Sequence, residues 1–257
     1  MQKIISIFNQ KGGVGKSTTT INLGAALGQK GKNILIVDID PQGNTTSGLG
    51  VEKRQLKASV YDILINEYNI NNIIVETSAE NVFLVPSNVE LAGAEVELIG
   101  MESRELKLKR ALENVSDKFD IILIDCPPSL GILSINALTA SNSVLIPIQC
   151  EYYALEGVSQ LVETIKLVKK SLNPDLEIEG VILSMFDGRT NLSIQVVDEV
   201  KKYFQGKVYT TIIPRNVRLA EAPSHGIPII DYDPKSKGAE AYMDLAEEFL
   251  ELSEEEN

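Results

Sequence analysis

The sequence is poor in cysteine, with only Cys126 and Cys150 among 257 residues. Two thiols so far apart supply neither a disulfide framework nor the paired spacing of a structural zinc site. No apolar run approaches the roughly 20 residues that a membrane-spanning helix needs. The first eight residues also lack the length and flanks of a signal peptide. These absences disfavour a disulfide-rich secreted protein and an integral membrane protein, and they predict a cytoplasmic location.

Basic residues are outnumbered, with 24 Lys and Arg against 36 Asp and Glu and a net charge of −12. Taken as a sum, this charge disfavours a nucleic-acid binder. The distribution is uneven, however. Residues 240–257 hold eight acids and no Lys or Arg, whereas residues 200–218 hold five bases and no acid. An acidic end and a basic stretch can occupy separate faces of one molecule.

Strand and helix patterns alternate along the chain, and several strand candidates are continuous apolar runs, as parallel strands covered on both faces require. No repeat, low-complexity segment or Pro/Gly/Ser-rich linker divides the sequence. We therefore predict one α/β domain over residues 1–257, a doubly wound and mostly parallel sheet with helices on both faces and an acidic helix and tail at 240–257. The predicted strands are 3–8, 33–38, 82–86, 120–125, 143–148, 179–184 and 208–213.

Two helices are predicted from apolar residues spaced three and four apart. The first covers residues 154–171, with a buried stripe from Leu155 to Val168. The second covers residues 237–252 and buries five side chains: Tyr242, Leu245, Ala246, Phe249 and Leu250. Residues 41–58 show few strand or helix signals and are predicted to form a functional loop.

A glycine-rich loop follows the first predicted strand, where residues 11–19 read Lys-Gly-Gly-Val-Gly-Lys-Ser-Thr-Thr. Glycines permit close backbone approach, and successive N–H groups before a helix can wrap an anion. In such a loop Lys16 is placed to reach the β- and γ-phosphates and the Ser17 hydroxyl to ligate Mg²⁺. The predicted nucleotide-binding residues are Lys11, Gly12, Gly13, Val14, Gly15, Lys16, Ser17 and Thr18.

This loop departs from the pattern G-x-x-x-x-G-K-[ST], because Gln10 takes the first glycine position and Lys11 follows it. In this it resembles the deviant Walker A loop of the ParA/MinD family of P-loop ATPases. The resemblance implies ATP and Mg²⁺ as cofactors and a sandwich homodimer with two ATPs at the interface. It also implies that Lys11 reaches the nucleotide site of the second subunit, with Lys11 and Lys16 offsetting charge during hydrolysis.

Two acidic motifs end predicted strands, at the sheet edge where ligands bind in such folds. In the first, Asp40 resembles the family's catalytic carboxylate, which orients the attacking water, while Asp38 supports the metal or the loop. An Asp at the end of a strand is also a common turn or helix cap. In the second, Asp125 ends a Walker B strand. The resemblance implies Ser17, Asp40 and Asp125 as the Mg²⁺ residues, the carboxylates acting through water. Cys126 is read as a packed residue beside the site.

The motif at 40–46, Asp-Pro-Gln-Gly-Asn-Thr-Thr, and the segment at 214–226 resemble the chromosomal ParA (Soj-like) branch. The resemblance implies that Pro214 and Asn216 contact adenine, although a proline there also terminates a strand. It implies that Arg189 and Arg218 contact DNA, against the alternative of solvated surface charges. Such contacts would go to phosphates and ignore base sequence. His225 receives no catalytic role.

The function predicted from this resemblance is a slow, ATP-dependent dimerising switch. It binds nonspecific double-stranded DNA at the nucleoid, is stimulated by a ParB-like centromere-binding partner and segregates a chromosome or plasmid. One rival is a membrane-cycling protein of the MinD kind, which the acidic end at 251–257 disfavours because an anionic bilayer would repel it. The other is a metabolic ATPase of the dethiobiotin-synthetase kind, whose activity would need a small carboxylic substrate and ignore DNA.

Overall fold

One eight-stranded sheet organises the computed structural model, which describes residues 2–115, 117–151 and 156–255, the side chains of 156 and 255 excepted. The sheet order is β3-β4-β2-β5-β1-β6-β7-β8, and every pairing is parallel except that of β3 with β4. The strands are β1 Lys3–Ile7, β2 Ile34–Asp38, β3 Val75–Glu76, β4 Val82–Val85, β5 Ile121–Asp125, β6 Ser143–Gln149, β7 Glu177–Phe186 and β8 Val208–Pro214.

Helices connect the strands and cover both faces of the sheet. One face carries a core built with α1 and α11, and the other a core built with the helices from α3 to α8. The described α-helices are α1 Lys16–Gln29, α2 Asn44–Gly48, α3 Val60–Ile65, α4 Leu91–Glu97, α5 Lys107–Leu112, α6 Ile132–Ala140, α7 Glu156–Ser171, α8 Asn191–Tyr203, α9 Val217–Glu221, α10 Ile229–Tyr232 and α11 Lys237–Glu255.

This architecture confirms the predicted doubly wound α/β fold. All five residues of β2 and of β5 are buried, as expected for central parallel strands with helices above and below. Within the described part of the chain no helix is long and apolar enough to cross a membrane.

Several local predictions were wrong. The segment 41–58 is not purely loop, because it contains α2 and a 3-10 turn at Lys53–Gln55; with few apolar residues, α2 has no periodicity to read. The antiparallel edge strand β3 was missed, since a two-residue strand leaves no alternation pattern. β7 starts two residues before the predicted 179 and runs two residues beyond 184. Leu250 is only half-buried. Leu155 lies outside the described residues, as do residues 256–257.

Strand register places two acidic side chains next to each other. Asp38 ends β2 and Asp125 ends β5, and the two are paired Cα to Cα across neighbouring parallel strands. Ile7, at the end of β1, is the partner of Asp125 on its other side. Neighbouring strands lie about 4.8 Å apart, so the phosphate loop after β1 and both acidic motifs meet at the carboxyl edge.

Candidate nucleotide site

The loop between β1 and α1 is held in the shape that its glycines permit. Gly13 and Gly15 have φ values of 75° and 95°, in the left-handed region that favours glycine. Ser184 in β7 donates its hydroxyl to the carbonyl of Val14 at 2.8 Å. The first N–H groups of α1 have no acceptor within their own helix, and they point their partial positive charge into the loop.

Lys16 begins α1 and is nearly buried, with 7% of its surface exposed. Its Nζ donates to the carbonyl oxygen of Lys11 at 3.1 Å, so the ammonium lies across the loop. Burial lowers the pKa of Lys16, and the negative charge of Asp125 opposes that shift. A buried ammonium beside exposed glycine backbone is an arrangement that takes a polyphosphate.

Asp38 and Asp125 are fully buried, and threonine hydroxyls from the following segment hold both. Thr45 donates to Oδ2 of Asp125 at 2.6 Å. Thr46 donates both its N–H and its hydroxyl to Oδ2 of Asp38, at 2.8 and 2.7 Å. The other oxygen of Asp38, Oδ1, accepts the N–H of Asp40 at 3.2 Å, so the Asp38 carboxylate holds the backbone on either side of the 40–46 motif.

Asp40 reaches the cleft between β1 and α2. Its Oδ1 accepts the N–H of Gln42 at 2.9 Å, and its carbonyl accepts the hydroxyl of Ser87 at 2.7 Å. The carboxylate is thus held at one oxygen, while Asp40 lines the same cleft as Lys16 and Ser17. That position leaves a second carboxylate oxygen for a water or for a water bound to a metal.

Two negative charges buried side by side favour uptake of a proton or binding of a cation. Burial, followed by the charge of Asp125, raises the pKa of Asp38. Burial also raises the pKa of Asp125, and the hydroxyls of Thr45 and Ser17 oppose that shift. One oxygen, Oδ1 of Asp125, is buried without a hydrogen-bond partner among the described residues. Such an orphaned acceptor needs an explanation, and coordination of a cation, directly or through water, is one.

A metal ion here would need ligands from its substrate. Among the described residues, no group of three or more His, Cys, Asp or Glu could hold a metal by itself. Mg²⁺ commonly takes one or two carboxylates, several waters and phosphate oxygens. The hydroxyl of Ser17 and the free oxygen of Asp125 fit that requirement, so the residues present suit Mg²⁺ bound together with a nucleoside triphosphate.

The cleft at this edge has a volume of about 630 Å³, in the range of small-molecule sites. It brings together the phosphate loop, Asp40 and residues of the 214–226 segment. Pro214 and Asn216 are not among its lining residues. Asn216 instead caps α9 by accepting the N–H of Arg218 at 2.8 Å. The adenine contacts expected of these two residues stay a prediction.

The arginines expected to contact DNA follow the neighbouring strands β7 and β8, Arg189 in the loop after β7 and Arg218 in α9. Arg189 is 88% exposed and bonds Asp187 through Nε and Nη2, at 2.8 and 2.6 Å. Arg218 pairs with Glu221 at 2.7 Å and with Asp233 at 3.4 Å. The acid-free stretch 200–218 is therefore partly neutralised from outside its own sequence. Exposed pairs of this kind contribute little free energy, so a phosphate can compete for the arginines.

Some residues of the site were not singled out from the sequence. They are the two threonines that hold the carboxylates, Ser87, Ser184 and Met185. Met185 lines the cleft with a φ of 52°, a left-handed conformation that is uncommon outside glycine. Thr45 and Thr46 belong to the 40–46 motif, which had already been singled out from the sequence. The signal that could have identified them is a pair of adjacent hydroxyl residues shortly after two acids. Ser87 and Ser184 are brought in only by tertiary structure.

The two remaining candidates have structural roles. Cys126 is fully buried and unbonded to the other cysteine, and burial raises the pKa of its thiol. An un-ionised thiol is unreactive. His225 stacks on Tyr232 with ring centroids 4.9 Å apart.

The protein has a phosphate loop after β1 and, at the end of the neighbouring strand β5, an aspartate with an oxygen available to a metal ion. These two features define it as a P-loop nucleotide hydrolase. A family model described as AAA domain matches residues 2–178. The sporulation initiation inhibitor protein Soj of Bacillus subtilis is 64% identical over 96% of this chain and 98% of its own length. The chromosome-partitioning ATPase Soj of Treponema pallidum is 51% identical over 97% of this chain and 98% of its own.

Solved structures agree. Cobyrinic acid a,c-diamide synthase of Mycobacterium smegmatis, with ADP and magnesium bound, matches with a TM-score of 0.85 and 40% identity over 96% of this chain and 93% of that one. MinD of Pyrococcus horikoshii, complexed with Mg-ADP, has a TM-score of 0.83 and 30% identity over 98% of each chain. The chain belongs to the Soj/ParA family of chromosome-partitioning ATPases, which confirms the resemblance read from its loop.

Proposed function

We propose that this ATPase is a nucleotide-controlled switch for chromosome or plasmid partitioning. Two subunits close over ATP and Mg²⁺, the closed dimer binds DNA without base specificity, and hydrolysis opens it. A ParB-like, centromere-binding protein speeds hydrolysis, and the protein resides in the cytoplasm on the nucleoid. The observation that carries the nucleotide control is the orphaned Oδ1 of Asp125 beside Ser17 and Lys16; partitioning is supported by the likeness to Soj.

The hydrolytic roles follow from position. The amides of the phosphate loop and the Lys16 ammonium bind the phosphates. Ser17 and Asp125 are the residues that would hold Mg²⁺, Asp125 through water, and the ion would supply positive charge at the β- and γ-phosphate oxygens. Asp40 orients the attacking water with its free carboxylate oxygen. Turnover without the partner is slow, because a switch of this kind needs a long-lived ATP-bound state.

The dimer is supported by what lies exposed at the loop. Lys11, Gly12 and Gly13 all face solvent. Among the described residues, a Cβ placed on Gly12 would have only the Cβ of Pro128 within 4.0 Å, and one on Gly13 would have no neighbour within 4 Å. A glycine surface beside the exposed ammonium of Lys11 is suited to close contact with the phosphates of the ATP bound by a second subunit.

Partitioning is favoured over the two rivals by sequence identity. The chain is 64% identical to Soj and 31% identical to the cell division ATPase MinD of Pyrococcus furiosus. The cobyrinic acid a,c-diamide synthase carries the name of a metabolic enzyme at 40% identity. A small-molecule role would appear as ATP turnover that depends on a carboxylic substrate and ignores DNA. A membrane role would appear as cosedimentation with lipid vesicles.

Asp40→Ala should bind ATP and Mg²⁺ with wild-type affinity but lose at least about a hundredfold in hydrolysis rate, within the range for one positioned catalytic group. The variant should therefore accumulate as an ATP-bound dimer, measured by light scattering. Asp187→Ala, at an exposed loop of the same sheet edge, is the matched control and should hydrolyse normally. A monomeric Asp40→Ala in saturating ATP would contradict the assignment.

Gly12→Val should bind ATP and stay monomeric, because a branched side chain would stand between the facing loops while the amides of residues 13–17 remain. Gly157→Val, on α7, where a Cβ would meet no atom of the described residues within 4 Å, controls for the added bulk. Normal ATP-dependent dimers of Gly12→Val in light scattering would remove the face-to-face arrangement.

A further inference from the structure

The side chain of Lys53 lies over the backbone of the 40–46 motif. Its Nζ donates to the carbonyl oxygen of Gln42 at 2.7 Å. Its stem crosses Gly43, because a Cβ placed on Gly43 would lie 2.7 Å from Cδ of Lys53. Gly43 also has a φ of 60°, in the left-handed region that favours glycine. The glycine therefore gives the motif a turn that the lysine stem can cover closely.

The turn that follows α2 brings Lys53 back to the start of that helix. Gly50 has a φ of 81°, which reverses the chain. Val51 then donates its N–H to the carbonyl of Thr46 at 3.1 Å, which holds the returning segment against α2. The 3-10 turn at Lys53–Gln55 follows directly. The position of Lys53 over the motif is therefore set by local backbone geometry.

The segment that Lys53 covers is the one that aims Asp40. The N–H of Gln42 donates to Oδ1 of Asp40 at 2.9 Å, while the carbonyl of Gln42 accepts the Lys53 ammonium. Ser87 holds the segment from the inner side, by donating its hydroxyl to the carbonyl of Asp40 at 2.7 Å. A shift of the Gln42 backbone would therefore move the Asp40 carboxylate with it.

The bond from Lys53 to Gln42 is charge-assisted, and such bonds are stronger than those between neutral groups. Lys53 is half-buried, whereas the next residue, Arg54, is exposed. In the part of the chain that the structure describes, Lys53 forms no ion pair with a carboxylate. The adjacent Glu52 accepts the side-chain amide of Gln55 instead. The ammonium therefore acts on the backbone of the motif and on no acid.

We propose that Lys53 is a positioning residue for ATP hydrolysis, which holds the Gln42 backbone so that the Asp40 carboxylate is aimed at the attacking water. Lys53 is not among the residues that line the nucleotide cleft, so it acts through Asp40. A misplacement of about 1 Å can cost about a hundredfold in rate, and a residue outside the cleft can therefore control hydrolysis without contributing to ATP binding. The inference rests on the proposed role of Asp40.

The test uses the full chain and the variant Lys53→Met, which keeps an unbranched stem over Gly43 and removes the ammonium. Single-turnover hydrolysis at saturating ATP and Mg²⁺, without DNA, should slow about three- to tenfold, as expected for the loss of one hydrogen bond from a charged group. ATP affinity by calorimetry and ATP-dependent dimerisation by light scattering should match wild type. Lys53→Arg keeps a cationic donor and should recover most of the rate. Arg54→Ala, at the neighbouring exposed charge, is the matched control and should hydrolyse normally.

A double-mutant cycle with Asp40 separates positioning from a merely structural effect. In the Asp40→Ala background, Lys53→Met should slow the remaining hydrolysis by less than about twofold, because no carboxylate is left to aim. A wild-type rate of Lys53→Met, or the full loss repeated in the Asp40→Ala background, would overturn the proposal. An equal loss in Arg54→Ala would assign the effect to the charge of the turn and overturn it too.

The same measurements distinguish this inference from the proposed function. If Asp40→Ala is slow and Lys53→Met hydrolyses normally, the positioning role fails while the proposed function stands. If Asp40→Ala itself hydrolyses ATP at the wild-type rate, the proposed role of Asp40 fails, and the role of Lys53 fails with it. Weaker ATP binding or loss of dimers in Lys53→Met would make Lys53 a binding or subunit contact, which also contradicts the proposal.

Discussion

The two edges of the central sheet carry clefts of similar size, about 630 Å³ at the carboxyl ends of the strands and about 690 Å³ at the amino ends. Their charges differ in kind. At the amino edge, Lys3 pairs with Glu179 at 2.6 Å and Asp120 accepts the N–H of Asn33 at 2.7 Å. At the carboxyl edge, Asp125 keeps a buried oxygen unpartnered among the described residues. Volume therefore does not mark the functional cleft; buried charge without a partner does.

The largest effect that separates the two edges is expected from their lysines. Lys16→Ala should weaken ATP binding more than about a hundredfold, roughly 2.8 kcal/mol, because it removes a buried cation aimed at the phosphates. Lys3→Ala should leave ATP affinity unchanged within about threefold, and lower the free energy of unfolding by about 2 kcal/mol because Glu179 loses its cationic partner and keeps only the Ser143 hydroxyl. Calorimetry with ATP and denaturant unfolding measure the two quantities. Near wild-type ATP affinity of Lys16→Ala would contradict the assignment of the ATP site to the carboxyl edge.

A second expectation concerns stability without nucleotide. Burial raises the pKa of Asp38 and Asp125 above their unfolded values, so the native state holds protons more tightly than the unfolded chain. That stabilisation is present at low pH and is lost as the pH rises through the native pKa values. Because of this pair, the free energy of unfolding should fall as the pH rises from about 4 to about 8. Added Mg²⁺ with ATP should restore it.

The variant Asp125→Asn tests the effect of the buried Asp125 charge directly. The amide keeps an acceptor for Thr45 and removes one buried charge, so the variant without nucleotide should be more stable than wild type at pH 8, by on the order of 1 kcal/mol. It should also lose the stabilisation that Mg²⁺ adds to ATP. Asp120→Asn, at the amino edge, should change neither quantity noticeably. Thermal unfolding with and without Mg²⁺ measures both the stability and its increase on metal binding. If Asp125→Asn were less stable than wild type at pH 8, Asp125 would not carry an uncompensated charge.

What could be predicted from the sequence follows the range of the interactions. The order strand, glycine loop and Lys16–Ser17 is local, so the phosphate loop was predictable from a run of adjacent residues. The fold class was predictable because each strand and helix pattern is local in the same sense. Pairing of Asp38 with Asp125 depends on strand register, and Ser87 reaches Asp40 from another strand's end. No local pattern carries such contacts.

The basic stretch shows a second limit of sequence reasoning. It holds no acid of its own, yet Arg215 pairs with Glu151 at 3.0 Å and Arg218 with Glu221 and Asp233. Those acids come from outside the stretch. Charge patterning along a chain therefore does not fix the charge of a surface, because folding can place acids from other segments beside the bases.

The smallest expected effects lie on that surface. Arg189→Ala and Arg218→Ala should each weaken DNA binding severalfold and reduce the salt dependence by about one phosphate contact. ATP hydrolysis and dimerisation should not change. Arg110→Ala, exposed on α5, is the control and should bind DNA normally. Affinities across a salt series with ATP measure this, and equal affinity and slope for all variants would remove both arginines from the DNA surface.

In the proposed switch, the carboxyl edge of the sheet couples ATP binding to DNA binding. The most direct measurement is the affinity of the wild-type protein for two unrelated DNA duplexes, each with ATP, with ADP and without nucleotide, at one salt concentration. With ATP, both duplexes should bind equally well and at least tenfold more tightly than with ADP or without nucleotide, because closure doubles the phosphate contacts. Equal affinity in all three states, or binding of only one duplex, would contradict the account.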